Sequence, residues 1–426
     1  MNIFWFRRDL RLEDNAGLYY ALQKSNVQPI FIFDTNILSE LPKDDARVYF
    51  IYQHLQKIDK ELRKYNSSLK VYLDKPENVF RKILNEYSDL ESVFTNEDYE
   101  PYAIKRDNQI KEIINEKGVS FHSFKDQVIF AKDEVLKNNK SPYTVFTHYK
   151  NKWLQLFTNQ KLSFYPSEKL LNNLFHSNHK FPQLSEIGFK PSNIKVKDIN
   201  YDAIKNYDQY RNFPYLNHTT YAGPHLRFGT VSIRKLVDIA HKTNSTYLSE
   251  LIWREFFMQI LYHFPYVVNS AFRKEYNNIQ WENDEKLFEL WKQGKTGFPM
   301  VDAGMRELNE TGYMHNRVRM ICASFLTKDL LIDWRWGEKY FAEKLLDYEL
   351  SSNNGNWQWA AGTGCDAAPY FRIFNPDEQL KKFDPEGKYV RNWIPELSTL
   401  DYPKPVIDHK FARNRALDVY KKGLQK

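Results

Sequence analysis

The sequence predicts an α/β protein in two parts: an N-terminal open parallel sheet of the Rossmann-like kind and a C-terminal all-helical domain, joined by a long linker. Three observations carry this expectation. Residues 1–125 alternate short apolar runs with amphipathic stretches, as a parallel sheet covered by helices requires. After about residue 196 the strand signal fades and i, i+3, i+4 apolar spacing takes over. A chain of 426 residues also exceeds what one hydrophobic core usually serves, so two domains are the default.

Taken in order, residues 2–6, 28–33, 69–73, 92–95 and 119–124 read as strands, and 46–65, 79–87 and 102–116 carry helical spacing between them. A dinucleotide site on such a sheet would place Gly-x-Gly-x-x-Gly after the first strand. Arg7-Arg8-Asp9-Leu10-Arg11 stands there instead, so that route is excluded. Residues 126–195, with Lys137-Asn138-Asn139-Lys140-Ser141-Pro142 among them, have no sustained periodicity and read as an interdomain linker. In the second domain, 196–426, the stretches 249–262, 318–332 and 337–348 show helical spacing.

Composition narrows the function classes. With 42% hydrophobic and 27% charged residues the chain reads as a soluble globular protein. No run approaches the roughly 18 apolar residues of a membrane span. Met1-Asn2-Ile3-Phe4-Trp5-Phe6-Arg7-Arg8-Asp9 has no apolar signal core, so a cytoplasmic location is expected. Cys322 and Cys365 lack the paired spacing of a disulfide framework or zinc site, and no metal is expected. The net charge of +7 is uneven: residues 1–125 hold 19 Lys and Arg against 20 Asp and Glu, so the positive excess lies beyond them. Such an excess suits either a solubilising surface or a groove that follows phosphates.

Eight of the ten tryptophans follow residue 250, and Asn353-Asn354-Gly355-Asn356-Trp357-Gln358-Trp359 sets amides beside two of them. Indoles serve as packing, as stacking surfaces for flat ligands, or as stepping-stones for electrons. Thr219-Thr220-Tyr221-Ala222-Gly223-Pro224 offers hydroxyls and backbone N–H groups ahead of a helix. It reads either as a pyrophosphate cradle or as an ordinary helix N-cap.

Several long motifs occur in collinear order. They are Phe4-Trp5-Phe6-Arg7-Arg8-Asp9-Leu10-Arg11-Leu12-Glu13-Asp14-Asn15, Glu250-Leu251-Ile252-Trp253-Arg254-Glu255-Phe256, Gly297-Phe298-Pro299-Met300-Val301-Asp302-Ala303-Gly304-Met305-Arg306, Tyr313-Met314-His315-Asn316-Arg317-Val318-Arg319-Met320 and the Asn353 to Trp359 run. Together they resemble the photolyase/cryptochrome family, closest to class I cyclobutane pyrimidine dimer photolyases. The resemblance implies an α/β domain linked to a helical FAD-binding domain and an enzyme that repairs these dimers in DNA. Repair would be driven by light, through electron transfer from excited reduced FAD. DNA is then the partner, no membrane is involved, and the chain is expected to be a monomer. A second, antenna chromophore is compatible with the family but stays unidentified.

The same resemblance assigns roles. Tyr207 with Thr219, Thr220, Tyr221, Ala222 and Gly223 would meet the flavin phosphates; Gly223 stands where relatives usually have Ser, so a backbone N–H replaces a hydroxyl. Asp347, Tyr348, Glu349 and Asn353 would face the flavin: a carboxylate paired with an arginine, a carboxylate near the ring's polar edge, and an amide beside N5. Trp281, Trp334 and Trp357 match the family's electron-carrying tryptophan chain, whereas Trp291, Trp336 and Trp359 are left as packing residues. Arg211, Arg254, Arg317 and Arg372 are expected on DNA phosphates, Asn316 is expected to bind DNA, and Met320 to help choose the lesion. Trp253 would stack on extruded bases and Glu250 would accept hydrogen bonds from pyrimidine imides. Two relatives with other roles stay in view. A (6-4) photolyase would use paired histidines near 315–320, where this chain has His315-Asn316 and Met320. A blue-light-sensing cryptochrome generally carries a long tail after the flavin domain.

Overall fold

A computed structural model describes residues 1–24 and 26–425. Five parallel strands, β1 (Asn2–Phe6), β2 (Val27–Asp34), β3 (Lys70–Asp74), β4 (Ser92–Asn96) and β5 (Ser120–Phe124), lie in the order β3-β2-β1-β4-β5. Every residue of β1 and β2 is buried, as a central parallel strand covered on both faces must be. Period-2 alternation sorts their side chains into two layers. Phe4 and Phe6 join Phe31, Phe33 and Phe94 on one face, and Ile3 and Trp5 join Ile30, Ile32 and Val93 on the other. The helices Ala16–Lys24 and Ala46–Arg63 cover the phenylalanine face. Pro76–Glu86 and Pro101–Asn115 cover the other. Each of this second pair opens on a proline, whose missing N–H costs nothing at a helix start.

The backbone groups into two compact units. One comprises Met1–Val135, Lys152–Asp198 and Ala222–Lys242; the other Leu136–Asn151, Ile199–Tyr221 and Thr243–Lys426. Residues 126–195 are thus shared between the units and carry a helix, Phe146–Asn159, and 3-10 turns at Ser167–Asn173 and Leu184–Ile187. Leu171, Leu174, Leu184, Ile187 and Phe189 are core residues of the first unit. Their irregular spacing follows from short turns, which leave no period for a sequence reading to find.

The second unit is helical. Its main core gathers Trp291, Met305, Val318, Phe325, Trp334, Phe341 and Trp357 among others. The helices that matter below are Ser245–His263, Pro299–Thr311, Asn316–Ser324, Trp334–Lys344, Leu350–Ala361 and His409–Leu424. The stretch expected as one helix over 318–332 is instead α-helical to Ser324 and π-helical over Phe325–Asp329. It ends at Asp329, and buried Leu331, two residues on, has a φ of 50° in the left-handed region. Among the described residues no helix is long and apolar enough to cross a membrane.

Candidate functional site

A cavity of about 440 Å³ opens in the second unit. Helical periodicity builds its wall. Glu250, Trp253, Arg254 and Phe257 stand at i, i+3, i+4 and i+7 of the helix Ser245–His263, hence on one face. Ser352, Asn356 and Trp359 do the same on Leu350–Ala361, and Asn316 and Met320 lie one turn apart on Asn316–Ser324. Arg211 and Asp347 complete the lining. Asn244 caps the first of these helices, its side chain accepting from Thr246 N–H at 3.1 Å and Tyr247 N–H at 3.0 Å.

Two forked ion pairs brace this wall. Arg319 reaches Asp347 through Nη1 at 3.1 Å and Nη2 at 2.9 Å, while its Nε donates to the Met314 carbonyl at 2.8 Å. Arg254 reaches Glu349 through Nε at 3.1 Å and Nη2 at 3.2 Å. The second pair is nearly buried, with side chains 12% and 5% exposed. A guanidinium matches a carboxylate with two parallel bonds, which fixes orientation as well as charge. Glu250 accepts from Arg211 Nη1 at 2.6 Å; burial raises its pKa and the Arg211 charge opposes that rise. His315 caps Asn316–Ser324. Burial, then the charges of Arg319, Arg317 and Arg211, push its pKa down to about 4, so at neutral pH its Nδ1 accepts the Arg317 N–H at 3.2 Å.

Asn354 and Gln358 lie on the opposite, inward face of Leu350–Ala361, and Asn353 lies between the two faces. Asn353 donates through Nδ2 to the Glu338 carbonyl at 3.0 Å, leaving Oδ1 as its acceptor end. Asn354 donates to the Val267 carbonyl at 3.0 Å and to Glu338 Oε1 at 3.3 Å. Gln358 donates to Asn354 Oδ1 at 3.1 Å and accepts from Phe272 N–H at 2.8 Å. This buried amide ladder is well satisfied, which is what makes polar groups tolerable there. Burial pushes the Glu338 pKa up to about 7, against the Asn354 bond.

Of the tryptophans singled out by the sequence, Trp334 and Trp357 lie buried in the main core and Trp281 packs partly exposed against it. Trp357 meets Phe341 at 4.9 Å and Trp291 at 6.2 Å between ring centroids, and Trp281 stands edge-on to Tyr420 at 5.8 Å. All three thus belong to the same core or pack against it.

The residues expected at the flavin phosphates sit elsewhere than in the cavity lining, whereas Arg211 and Arg254, expected on DNA phosphates, are part of it. Tyr207 packs edge-on to Tyr247 at 5.1 Å, and Tyr247 donates to the Thr220 hydroxyl at 3.3 Å. Thr219 is half-buried; Tyr221 takes a φ of 52° and packs edge-on to Tyr313 at 5.2 Å. Ala222 and Gly223 belong to the first unit, where they open the helix Ala222–Arg227. Tyr348 packs partly buried against the main core. Arg317 lies over the Phe383 ring at 4.4 Å and donates to Asn212 Oδ1 at 2.6 Å. Arg372 is exposed, its guanidinium 5.7 Å from the Phe374 ring centre.

Sequence reasoning missed Phe257, Ser352, Asn356 and Arg319, and took Trp359 as packing, although it lines the cavity. The 352, 356, 359 spacing was the available signal. The arrangement suits a flat heteroaromatic ligand: Trp253, Phe257 and Trp359 offer ring faces, carboxylates and amides offer a few convergent polar groups, and the volume falls in the usual small-molecule range. These side chains fit a flavin.

Comparisons with known proteins agree with that chemistry. Residues 2–167 match the profile described as DNA photolyase, and residues 247–401 match the FAD binding domain of DNA photolyase. A curated relative, the deoxyribodipyrimidine photo-lyase of Vibrio cholerae, is 35% identical over 99% of each chain. A solved class III photolyase from Agrobacterium tumefaciens superposes with a TM-score of 0.87 at 32% identity, covering 100% of this chain and 98% of that one. A Synechocystis cryptochrome gives 0.84 at 26%, covering 98% and 99%. The chain therefore belongs to the photolyase/cryptochrome family, and residues 247–401 are its FAD-binding domain.

Proposed function

We propose that this chain repairs cyclobutane pyrimidine dimers in DNA, using light and a reduced FAD held in the second unit. The family includes both photolyases and a cryptochrome, so the fold alone does not choose; the cavity lining supports the choice. Glu250, Trp253 and Met320 line one space, and among the described residues no histidine lines it with them. His315, the nearest imidazole in sequence, is spent as a helix cap and neutral at physiological pH. A (6-4) adduct needs an acid at the lesion, whereas a cyclobutane ring needs none.

The bound flavin would supply one electron to the lesion under light and take it back once the ring has opened. The chain's residues do the rest. Asp347, Glu349 and Asn353 would hold the cofactor, with Arg319 and Arg254 fixing the two carboxylates. Trp253 offers a plane for a base taken out of the stack, and damaged dinucleotides cost least to extrude. Glu250, which already accepts from Arg211, would also accept hydrogen bonds from an imide edge. Trp281, Trp334 and Trp357 would return the cofactor to its reduced form, and Arg317 and Arg372 would meet phosphates. We read the protein as a cytoplasmic monomer; both cysteines are free thiols, as a reducing compartment maintains.

The test gives FAD-loaded, reduced protein and light to two oligonucleotides, one carrying a cyclobutane dimer and one a (6-4) adduct. Restoration of the first alone is expected. Restoration of the (6-4) adduct with the dimer untouched, or of neither, overturns the proposal.

A further inference from the structure

Phe146 stands behind the cavity wall. Its ring lies on the Trp253 indole with centroids 3.6 Å apart and planes 8° from parallel. Trp253 lines the cavity; Phe146, only 7% exposed, does not. Phe256 packs edge-on to both rings, at 5.5 Å from Trp253 and 5.8 Å from Phe146, and Phe257 stacks on Trp253 at 5.3 Å. The indole is therefore clamped by phenylalanine rings.

The near-eclipsed stack is not the arrangement that a free aromatic pair prefers, since ring quadrupoles favour offset or edge-to-face contact. Something else must set it, and the hydrogen bonds around the ring show what. The Phe146 N–H donates to Asp366 Oδ2 at 2.9 Å, the Tyr149 hydroxyl donates to buried Glu255 at 3.1 Å, and Lys150 Nζ reaches Ser249 Oγ at 3.4 Å. The last two bonds register the first turns of Phe146–Asn159 against the helix that carries Glu250, Trp253 and Arg254, and the first ties Phe146 to the chain just beyond Leu350–Ala361.

We propose that Phe146 is a positioning residue for lesion recognition, its ring fixing the plane that Trp253 presents to an extruded base. The inference rests on the dimer-repair reading given above. Without the ring behind it the indole regains side-chain freedom, and binding must remove that freedom before a base can stack. The cost falls on capture of the lesion and not on the light-driven step that follows.

The experiment compares full-length, FAD-loaded wild type with Phe146→Leu, Phe146→Tyr and Trp253→Ala, after matching FAD content and thermal midpoint. Dissociation constants are measured for a duplex with one cyclobutane dimer and for the undamaged duplex, and repair per absorbed photon is measured at saturating DNA. Phe146→Leu, which keeps apolar bulk but loses the ring, is expected to weaken dimer binding about two- to tenfold, the range of one aromatic pair. Its undamaged-DNA affinity and saturated repair should match wild type, and Phe146→Tyr should restore dimer affinity. Wild-type dimer affinity in Phe146→Leu beside a loss in Trp253→Ala overturns this inference and leaves the dimer-repair reading standing. Equal weakening in Phe146→Tyr and Phe146→Leu, or equal loss on undamaged DNA, also overturns it. A wild type with no preference for the dimer removes the dimer-repair reading and this inference together.

Discussion

Gly355 faces Phe257 so closely that a Cβ at residue 355 would lie 2.1 Å from a carbon of the Phe257 ring. The two helices that contribute most of the cavity wall thus meet through a side-chain void that only hydrogen can occupy. Gly355→Ala should force Phe257 into the cavity, destabilise the protein by about 1–3 kcal/mol, as overpacking usually does, and lower FAD retention. Thermal unfolding and FAD stoichiometry would show it. A variant as stable and as yellow as wild type would mean that the helices separate at little cost.

Trp357 is fixed by a similar contact, since a Cβ at Gly337 would lie 2.1 Å from the tip of its indole. Trp357→Phe should abolish photoreduction of oxidised flavin while repair by already reduced protein stays near wild type. Spectra recorded under illumination separate the two. Photoreduction at the wild-type rate would remove Trp281, Trp334 and Trp357 from the electron path.

Glu338 makes stability pH-dependent. Its folded pKa is raised by burial to about 7 from an ordinary 4.5, so below about pH 4.5 both states hold the proton. Between 4.5 and 7 the unfolded chain releases the proton that the folded chain keeps, and rising pH favours unfolding. The loss reaches at most about 3 kcal/mol by pH 7. Glu338→Gln should flatten that part of the stability profile in denaturant titrations between pH 4.5 and 8. An unchanged slope would show that Glu338 ionises normally.

Arg372 and Arg317 should separate charge from packing. Arg372→Ala is expected to weaken damaged and undamaged DNA alike and to reduce the salt slope by about one unit, as the loss of one phosphate contact should. Arg317→Ala should do this and also lower the melting temperature, because Arg317 packs on Phe383. Salt titrations with both variants decide; an unaltered slope in both would place the DNA-binding face elsewhere.

The sheet was legible because its strands obey one rule strictly. Phe4 and Phe6 against Ile3 and Trp5 announce a strand with two buried faces, and the observed strand bounds lie within two residues of those expected. The core leucines between 171 and 184 were not legible, since 3-10 turns give no repeat. Within the site, Glu250 and Asp347 are named through the family resemblance, since their own spacing reads equally as an amphipathic helix and a solvated helix end. Arg319, the partner of Asp347, lies 28 residues away, and no spacing rule spans that distance. Trp359 is left as packing because it stands outside the three-tryptophan chain that the resemblance implies, yet it shares the outward face of its helix with Ser352 and Asn356. Ring contact between distant tryptophans is likewise a property of packing that spacing cannot carry.

The Arg254–Glu349 fork also constrains how this chain can drift. Removing one member of a nearly buried pair strands the other charge in an apolar wall, typically at 3–5 kcal/mol, a large share of what holds a protein folded. Replacing both by well-packed apolar residues need cost nothing in stability. Viable descendants at these two positions should therefore keep both charges or lose both, so that either residue, read alone in a distant cousin, foretells the other.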